Sequence, residues 1–464
     1  MINIFAYALN VFRAAFIWLL SITMVGQLVP AGRDHTFGIE LLSERYTARA
    51  QILTRSIERT FYNRRIPMLH NNSRNHFTPS GAWDSAALLT LYVQMARLHG
   101  ESCPRKNPYI RQADRVIHML GFYARNNPDD TFPIYTGTWS MFQRRIDTSR
   151  PGVYVYYDDN MWVGRDLVKL YNLTGIQQYL DHAVAIADML IDEGWDYLEP
   201  DMFTQRFGEP YGGSMPEAGP MGGFYWRCDK AGHFGEGMAH RVSMNVCSNG
   251  PAIQFLVMLA NALDDDELAE HYVSYAIMSY RFLRYIERPD GVFADRMYFY
   301  TDEDDVIYRI HGRIGGALTY NSGTPISSAV ELYRRTGEAH FLEDAIRWGR
   351  AAHAYFPRES SVEGLPTFLD LPWFREILMM GYMDLYPHYP AALQFIQTME
   401  NALNHGYEHH RLRGVLGYNQ NHIPRNWVDG FVDDAQKQSG AALEQIPNAG
   451  IYAALAMFYA NRGE

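Results

Sequence analysis

Leu170-Tyr171-Asn172-Leu173-Thr174-Gly175 runs into Tyr179-Leu180-Asp181-His182-Ala183, and the cadence returns as Leu332-Tyr333-Arg334-Arg335-Thr336-Gly337 before Phe341-Leu342-Glu343-Asp344-Ala345. In each copy an apolar helical face ends on a glycine, the residue that closes a helix in the left-handed conformation, and a second helix begins a few residues later. His99-Gly100 ahead of Tyr109-Ile110 is a looser third copy. The repeated unit is a helical hairpin. Elsewhere apolar residues recur at three- and four-residue spacing, with few alternating runs of the kind that mark strands. The spacing predicts an all-α chain with helices over 41–62, 81–99, 108–125, 159–173, 176–191, 249–263, 265–288, 324–336, 339–356, 373–385, 389–404 and 438–461. Six hairpins in sequence either close into a double ring, an (α/α)6 barrel, or stack as a linear solenoid.

Three connections, 126–157, 192–248 and 289–323, exceed the usual helix-to-helix length and precede what would be inner helices, so they are expected to carry function. The middle one holds Tyr211-Gly212-Gly213 and Gly222-Gly223-Phe224-Tyr225-Trp226, glycines that allow close backbone approach beside large aromatic faces. The stretch 405–437, with Tyr418-Asn419 and Trp427, has no pattern that assigns it a role.

At 464 residues and 47% hydrophobic content the chain can bury a large core. The formal net charge of -11, with no long Lys/Arg run, argues against nucleic acid or an anionic membrane surface as the main partner. Arg13, the apolar run 14–25 and then Val29-Pro30-Ala31 read as a cleaved export signal over 1–31, with an uncleaved anchor or a buried helix as competing readings. On the export reading, residues 32–464 form one catalytic domain that is secreted, periplasmic or held at the cell surface, with no membrane contact after signal removal. Cys103, Cys228 and Cys247 are too unevenly spaced for a zinc site or a disulfide scaffold, and the scattered histidines form no ligand pattern, so neither a metal nor a cofactor is expected.

The chemistry concentrates in Tyr156-Tyr157-Asp158-Asp159-Asn160-Met161-Trp162. Near a helix start, adjacent side chains diverge by about 100° and can address one site together, whereas in a strand they would point to opposite faces. Aromatic neighbours suggest a pocket in which one acid stays protonated, the equipment of a glycosidase. A retaining glycosidase needs its carboxyl groups roughly 5–5.5 Å apart, within reach of neighbouring residues. Trp162, one turn further on, would line a sugar subsite. The competing reading is that acids at a helix start only cap it and meet its dipole, as assigned to Asp264-Asp265-Asp266-Glu267. Asp302-Glu303-Asp304-Asp305 reads as a solvated loop.

Tyr157-Asp158-Asp159-Asn160-Met161-Trp162 closely resembles the Asp-Asp signature of glycoside hydrolase family 76, whose members act on α-1,6-linked mannan. Gly222-Gly223-Phe224-Tyr225-Trp226, Asn245-Val246-Cys247-Ser248-Asn249-Gly250 and Tyr320-Asn321-Ser322-Gly323 resemble further landmarks of that family, in order. Met244 departs from a Lys common there, and Arg375-Glu376 from a Lys-Gly pair. The resemblance, over roughly 45–461, implies a six-hairpin (α/α)6 barrel and a retaining mechanism with Asp158 as nucleophile and Asp159 as general acid/base. The expected activity is that of an endo-α-1,6-mannanase binding mannan or manno-oligosaccharide through Tyr157, Trp162, Tyr225, Trp226, Asn249, Tyr320 and Asn321. For Tyr320, Asn321 and Asn249 the alternative is helix capping, and for Tyr225 and Trp226 packing under a loop. Transglycosylation on the same acids, and glycan binding without turnover, remain the rival functions.

Overall fold

The structure, a computed structural model, describes residues 34–63, 68–72, 75–140, 146–148, 152–213, 219–228, 240–301, 307–413, 420–438 and 440–462. The expected signal over 1–31, the acidic run 302–305 and Tyr418-Asn419 lie outside the described residues.

Twelve long helices organise the described residues: α1 Asp34–Phe61, α2 Ala82–His99, α3 Pro108–Leu120, α4 Tyr157–Thr174, α5 Gln177–Gly194, α6 Val246–Ala260, α7 Asp266–Ile286, α8 Thr319–Thr336, α9 Ala339–Tyr355, α10 Pro372–Leu385, α11 Ala392–His405 and α12 Ala442–Asn461. The even-numbered helices bury nearly every side; α2, for instance, buries most residues from Ala82 to Ala96. An odd-numbered helix such as α3 buries one stripe only, Ile110, Ala113, Val116, Met119 and Leu120. A helix apolar all round belongs inside and an amphipathic one outside. Each even helix packs on the next, and α12 packs back on α2, which closes an inner ring and excludes the linear solenoid. The protein is an (α/α)6 barrel. Its sixth pair joins the chain's two ends, since α1 covers α12 from outside.

The glycines of the repeated turns close their helices as expected, Gly100, Gly175 and Gly337 standing at φ 75°, 69° and 76°. α6 and α10 end without glycine, on Asn261 and Tyr386 in right-handed geometry, which is why no echo marks those hairpins. Two inner helices begin earlier than expected, α6 at Val246 instead of 249 and α8 at Thr319 instead of 324. Pro251 and Pro325, a residue type favoured in a first helical turn, sit inside these helices. Where α8 and α10 cross, a Cβ on Gly323 would stand 2.5 Å from the Ile377 carbonyl oxygen, so only glycine lets the two backbones meet.

The long connections are less irregular than expected. Between α1 and α2, β1 Tyr62–Asn63, β2 Met68–Asn72 and β3 Asn75–Pro79 form a small antiparallel sheet. Within 192–248, β4 Trp195–Leu198 pairs antiparallel with β5 Met221–Phe224 around a short helix, Pro200–Phe207. The strands β6 His240–Asn245, β7 Arg296–Thr301 and β8 Ile307–Ile314 form one antiparallel sheet, with Asn245 opposite Arg296.

Candidate active site

The amino-terminal ends of five inner helices, α2, α4, α6, α8 and α10, open on one cavity of about 490 Å³ that contains Asp158 and Asp159. At α4, α6, α8 and α10 no side chain of the preceding residue caps the helix. The first amides of α4, α6 and α8 are taken by other segments, Tyr157 N–H by the Trp226 carbonyl at 3.0 Å, Val246 N–H by the Asp295 carbonyl at 3.1 Å and Thr319 N–H by the Asp370 carboxylate, while the positive ends of the dipoles face the cavity. The β6–β7 ladder adds Asn245 and Arg296 to the wall.

Four inner helices anchor their surroundings with the same device, a long polar side chain on the fourth residue. Asn160 accepts the Tyr135 N–H at 2.9 Å and donates to the Tyr135 carbonyl at 3.0 Å, fixing the connection before α4. Asn249 does the same to Phe224, at 2.8 and 3.0 Å. Gln445 treats Ile423 likewise, both bonds at 3.0 Å. Arg375 donates to the carbonyls of Phe368 and Arg425 and stacks on Trp427 at 3.8 Å. Each satisfies backbone groups that lie outside the helices and would otherwise be buried unpaired.

Both acids of the pair keep an open side toward the cavity while protein fills the other directions. Burial pushes the Asp158 carboxyl up, opposed by the Cys247 thiol, the Asp159 amide and the Trp226 indole. Asp159 is pushed well above the carboxylate range by burial and then by the charges of Asp158 and Asp84. Donors gather at Asp158 and negative charge at Asp159, an arrangement that favours the carboxylate at Asp158 and the protonated carboxyl at Asp159.

The aromatic wall is built from several elements. Trp226 meets Tyr156 edge-on at 5.3 Å and lies 5.6 Å from the Arg296 guanidinium. Tyr320 stacks near Phe374 at 4.4 Å and donates from its hydroxyl to Asp295 at 3.2 Å. Trp162 and Trp373 meet edge-on at 5.5 Å and close the cavity floor. Asp295, only 6% exposed, accepts from Tyr320 and Asn321 on one oxygen and pairs with Arg296 through the other.

Of the residues singled out from sequence, Asp158, Asp159, Trp162, Trp226 and Tyr320 share this cavity. Four do not line it. Tyr157 is buried, donating its hydroxyl to the Glu193 carbonyl at 2.9 Å with its ring against Gly194. Tyr225 donates to Asp196 at 2.6 Å, and Asn249 is fully buried in its clamp. Both were expected to bind substrate, but strand pairing turns Tyr225 away and the early start of α6 draws Asn249 inside. Asn321 stands behind the wall, 3.1 Å from Asp295. Asp84, Asp295 and Arg296 line the cavity without a signal of their own in sequence, and Tyr156 and Cys247, inside the quoted stretches, line it without having been assigned a role there. Asp265 behaves as assigned, capping α7 through the Leu268 amide at 3.0 Å. Among the described residues no group of three or more His, Cys, Asp or Glu side chains is arranged to hold a metal.

No curated protein matches the sequence. Among solved structures, a family 76 mannosidase from Bacteroides thetaiotaomicron superposes with TM-score 0.67 at 22% identity, over 90% of this chain and 99% of that one. An inactive variant of an α-1,6-mannanase from Salegentibacter, two neighbouring aspartates replaced by asparagine and α-1,6-mannotriose bound, superposes with TM-score 0.61 at 18% identity, over 89% and 99%. A cellobiose 2-epimerase from Spirochaeta thermophila shares the fold at TM-score 0.55 and 13% identity, over 94% and 99%. At these identities the likeness is one of fold. The model of glycosyl hydrolase family 76 matches residues 221–460, more than half of the sequence, and the chain belongs to that family.

Proposed function

We propose that this family 76 glycosidase is an exported, retaining endo-α-1,6-mannanase. The observation that carries the reading is the unequal pair, Asp158 against donors and Asp159 against negative charge, in an aromatic-walled cavity. Asp158 attacks the anomeric carbon as a carboxylate while the glycosidic C–O bond breaks and Asp159 gives its proton to the departing oxygen. A mannosyl ester on Asp158 results. Asp159, now ionised, takes a proton from water as that water attacks the same carbon, and the ester bond breaks with net retention. Trp226 and Tyr320 supply flat apolar faces for the sugar rings. The bound α-1,6-mannotriose of the Salegentibacter relative, and its two substituted aspartates, support both the linkage and the pair. The apolar run 14–25 supports export.

The test is incubation of unbranched α-1,6-mannan with the wild type and with Asp158→Asn and Asp159→Asn, reading oligosaccharides by chromatography and the first anomer by NMR. Short α-anomeric products from the wild type alone support the proposal. β-Anomers rule out retention, products longer than the starting mannan chains reveal transglycosylation, and binding without release indicates a glycan-binding protein.

A further inference from the structure

A second cavity, of about 500 Å³, lies inside the ring on the other side of Trp162 and Trp373, which line both spaces. It opens at the carboxyl ends of the inner helices, where Arg97, Asn172, Asn261 and Arg334 are exposed. Its middle layer is internally satisfied. Lys169 meets Asp166 at 3.3 Å, Arg334 meets Glu331 at 2.8 Å, and Ser327 donates to Asp384 at 2.7 Å.

The deepest layer is not satisfied. Arg165 lies 4.0 Å from the Trp162 ring and reaches Gln254 at 3.3 Å, yet its Nε–H has no partner. Gln94 donates to Glu376 at 3.1 Å, leaving Gln94 Oε1 and Glu376 Oε2 unpaired. These side chains are 6%, 6% and 2% exposed. A buried polar atom left unpaired is costly, so this layer suits a polar guest. The free atoms are one donor and two oxygens. A simple anion would meet the Arg165 donor but face the Gln94 oxygen, whereas hydroxyl groups both donate and accept.

We propose that this back cavity is a second binding site, taking a neutral monosaccharide whose hydroxyls meet Arg165, Gln94 and Glu376 while its apolar face lies on Trp373 and Ile377. The choice of mannose as probe rests on the proposed α-mannan activity; the mixed donor and acceptor lining does not.

The test is calorimetric titration of the intact protein with D-mannose, repeated with Met457→Trp, which fills the back cavity from its wall, and with Trp226→Ala in the front cavity. Inorganic phosphate serves as the contrasting probe. The expected result is a mannose-binding event that survives Trp226→Ala and is abolished by Met457→Trp. Gln94→Met, a milder change, should weaken that event about tenfold, as loss of a hydrogen bond does. Loss of all binding in Trp226→Ala, phosphate binding in place of mannose, or no binding that Met457→Trp and Gln94→Met affect would each overturn the proposal. Mannan depolymerisation by the same preparations reads the front site separately, so failure here is distinguishable from failure of the mannanase reading.

Discussion

Asn249 grips the peptide of Phe224 by both of its polar groups, accepting the N–H at 2.8 Å and donating to the carbonyl at 3.0 Å, two residues before Trp226 reaches the catalytic cavity. The same side chain donates to the Asn245 carbonyl at 2.9 Å and accepts from Ser279 at 2.9 Å. Asn249→Ala strands several buried groups, and each costs about 1–3 kcal/mol. Denaturant unfolding should show a loss of about 2–4 kcal/mol on that basis, together with impaired substrate binding as Trp226 loses its anchor. A loss below about 1 kcal/mol would show that the clamp is not structural.

Catalysis through the pair requires Asp158 ionised and Asp159 protonated, which gives a bell-shaped pH dependence displaced above the ordinary carboxylate range. The Cys247 thiol is among the groups that oppose the rise at Asp158. Removing it in Cys247→Ala raises the proton affinity of Asp158, so the acid limb of kcat/KM should move to higher pH. Cys247→Ser, which keeps a donor, should restore the wild-type limb, and an unmoved limb in the alanine variant contradicts this role.

Glu376 is 2% exposed, and burial pushes its carboxyl up to about 8, opposed by the Gln94 amide and Arg165. A carboxyl with a raised folded-state pKa favours the fold while protonated, and that contribution declines as pH rises from about 4.3, the unfolded value, toward the folded one. Glu376→Gln is neutral throughout. Melting curves between pH 4 and 8 should therefore show the variant gaining on the wild type as pH rises; a gain confined to acid pH would contradict the sign.

Trp226 borders the reacting acids and is held edge-on to Tyr156 at 5.3 Å. Trp226→Ala removes a stacking face worth about 0.5–1.5 kcal/mol beyond its buried area, or roughly 3- to 10-fold in affinity. The loss should appear mainly in KM for mannan. Because the indole also donates toward Asp158, the acid limb of kcat/KM should move to higher pH as well; an unchanged KM would contradict the stacking role.

Gly323 faces the Ile377 carbonyl, and Gly381 in turn faces the Gly323 carbonyl, so backbone meets backbone where α8 crosses α10. Gly323→Ala has no flexible side chain to displace and should cost about 1–3 kcal/mol or more, read by thermal melting. Gly337→Ala meets nothing within 4 Å but inherits φ 76°, so its smaller penalty would come from backbone strain alone.

The architecture was legible because it is written locally. Periodicity along each helix and the left-handed glycines after α2, α4 and α8 depend on residues a few positions apart, and they suffice for helical hairpins. The adjacent Asp158 and Asp159, with Trp162 one turn on, are local in the same sense. Closure of the ring was not local, since it depends on α12 meeting α2 across almost the whole chain. Nor was the division of labour among polar residues. Asn249 and Tyr320 both stand near the starts of inner helices beside glycines and aromatics, yet one clamps a backbone and the other lines the cavity. An amide or hydroxyl has the same chemistry in either role, and only its tertiary neighbours decide whether its hydrogen bonds are already taken. Asp84, Asp295 and Arg296 reach the acids from distant segments for the same reason: the inner helices converge at one end, and the β6–β7 ladder brings Asn245 opposite Arg296 there.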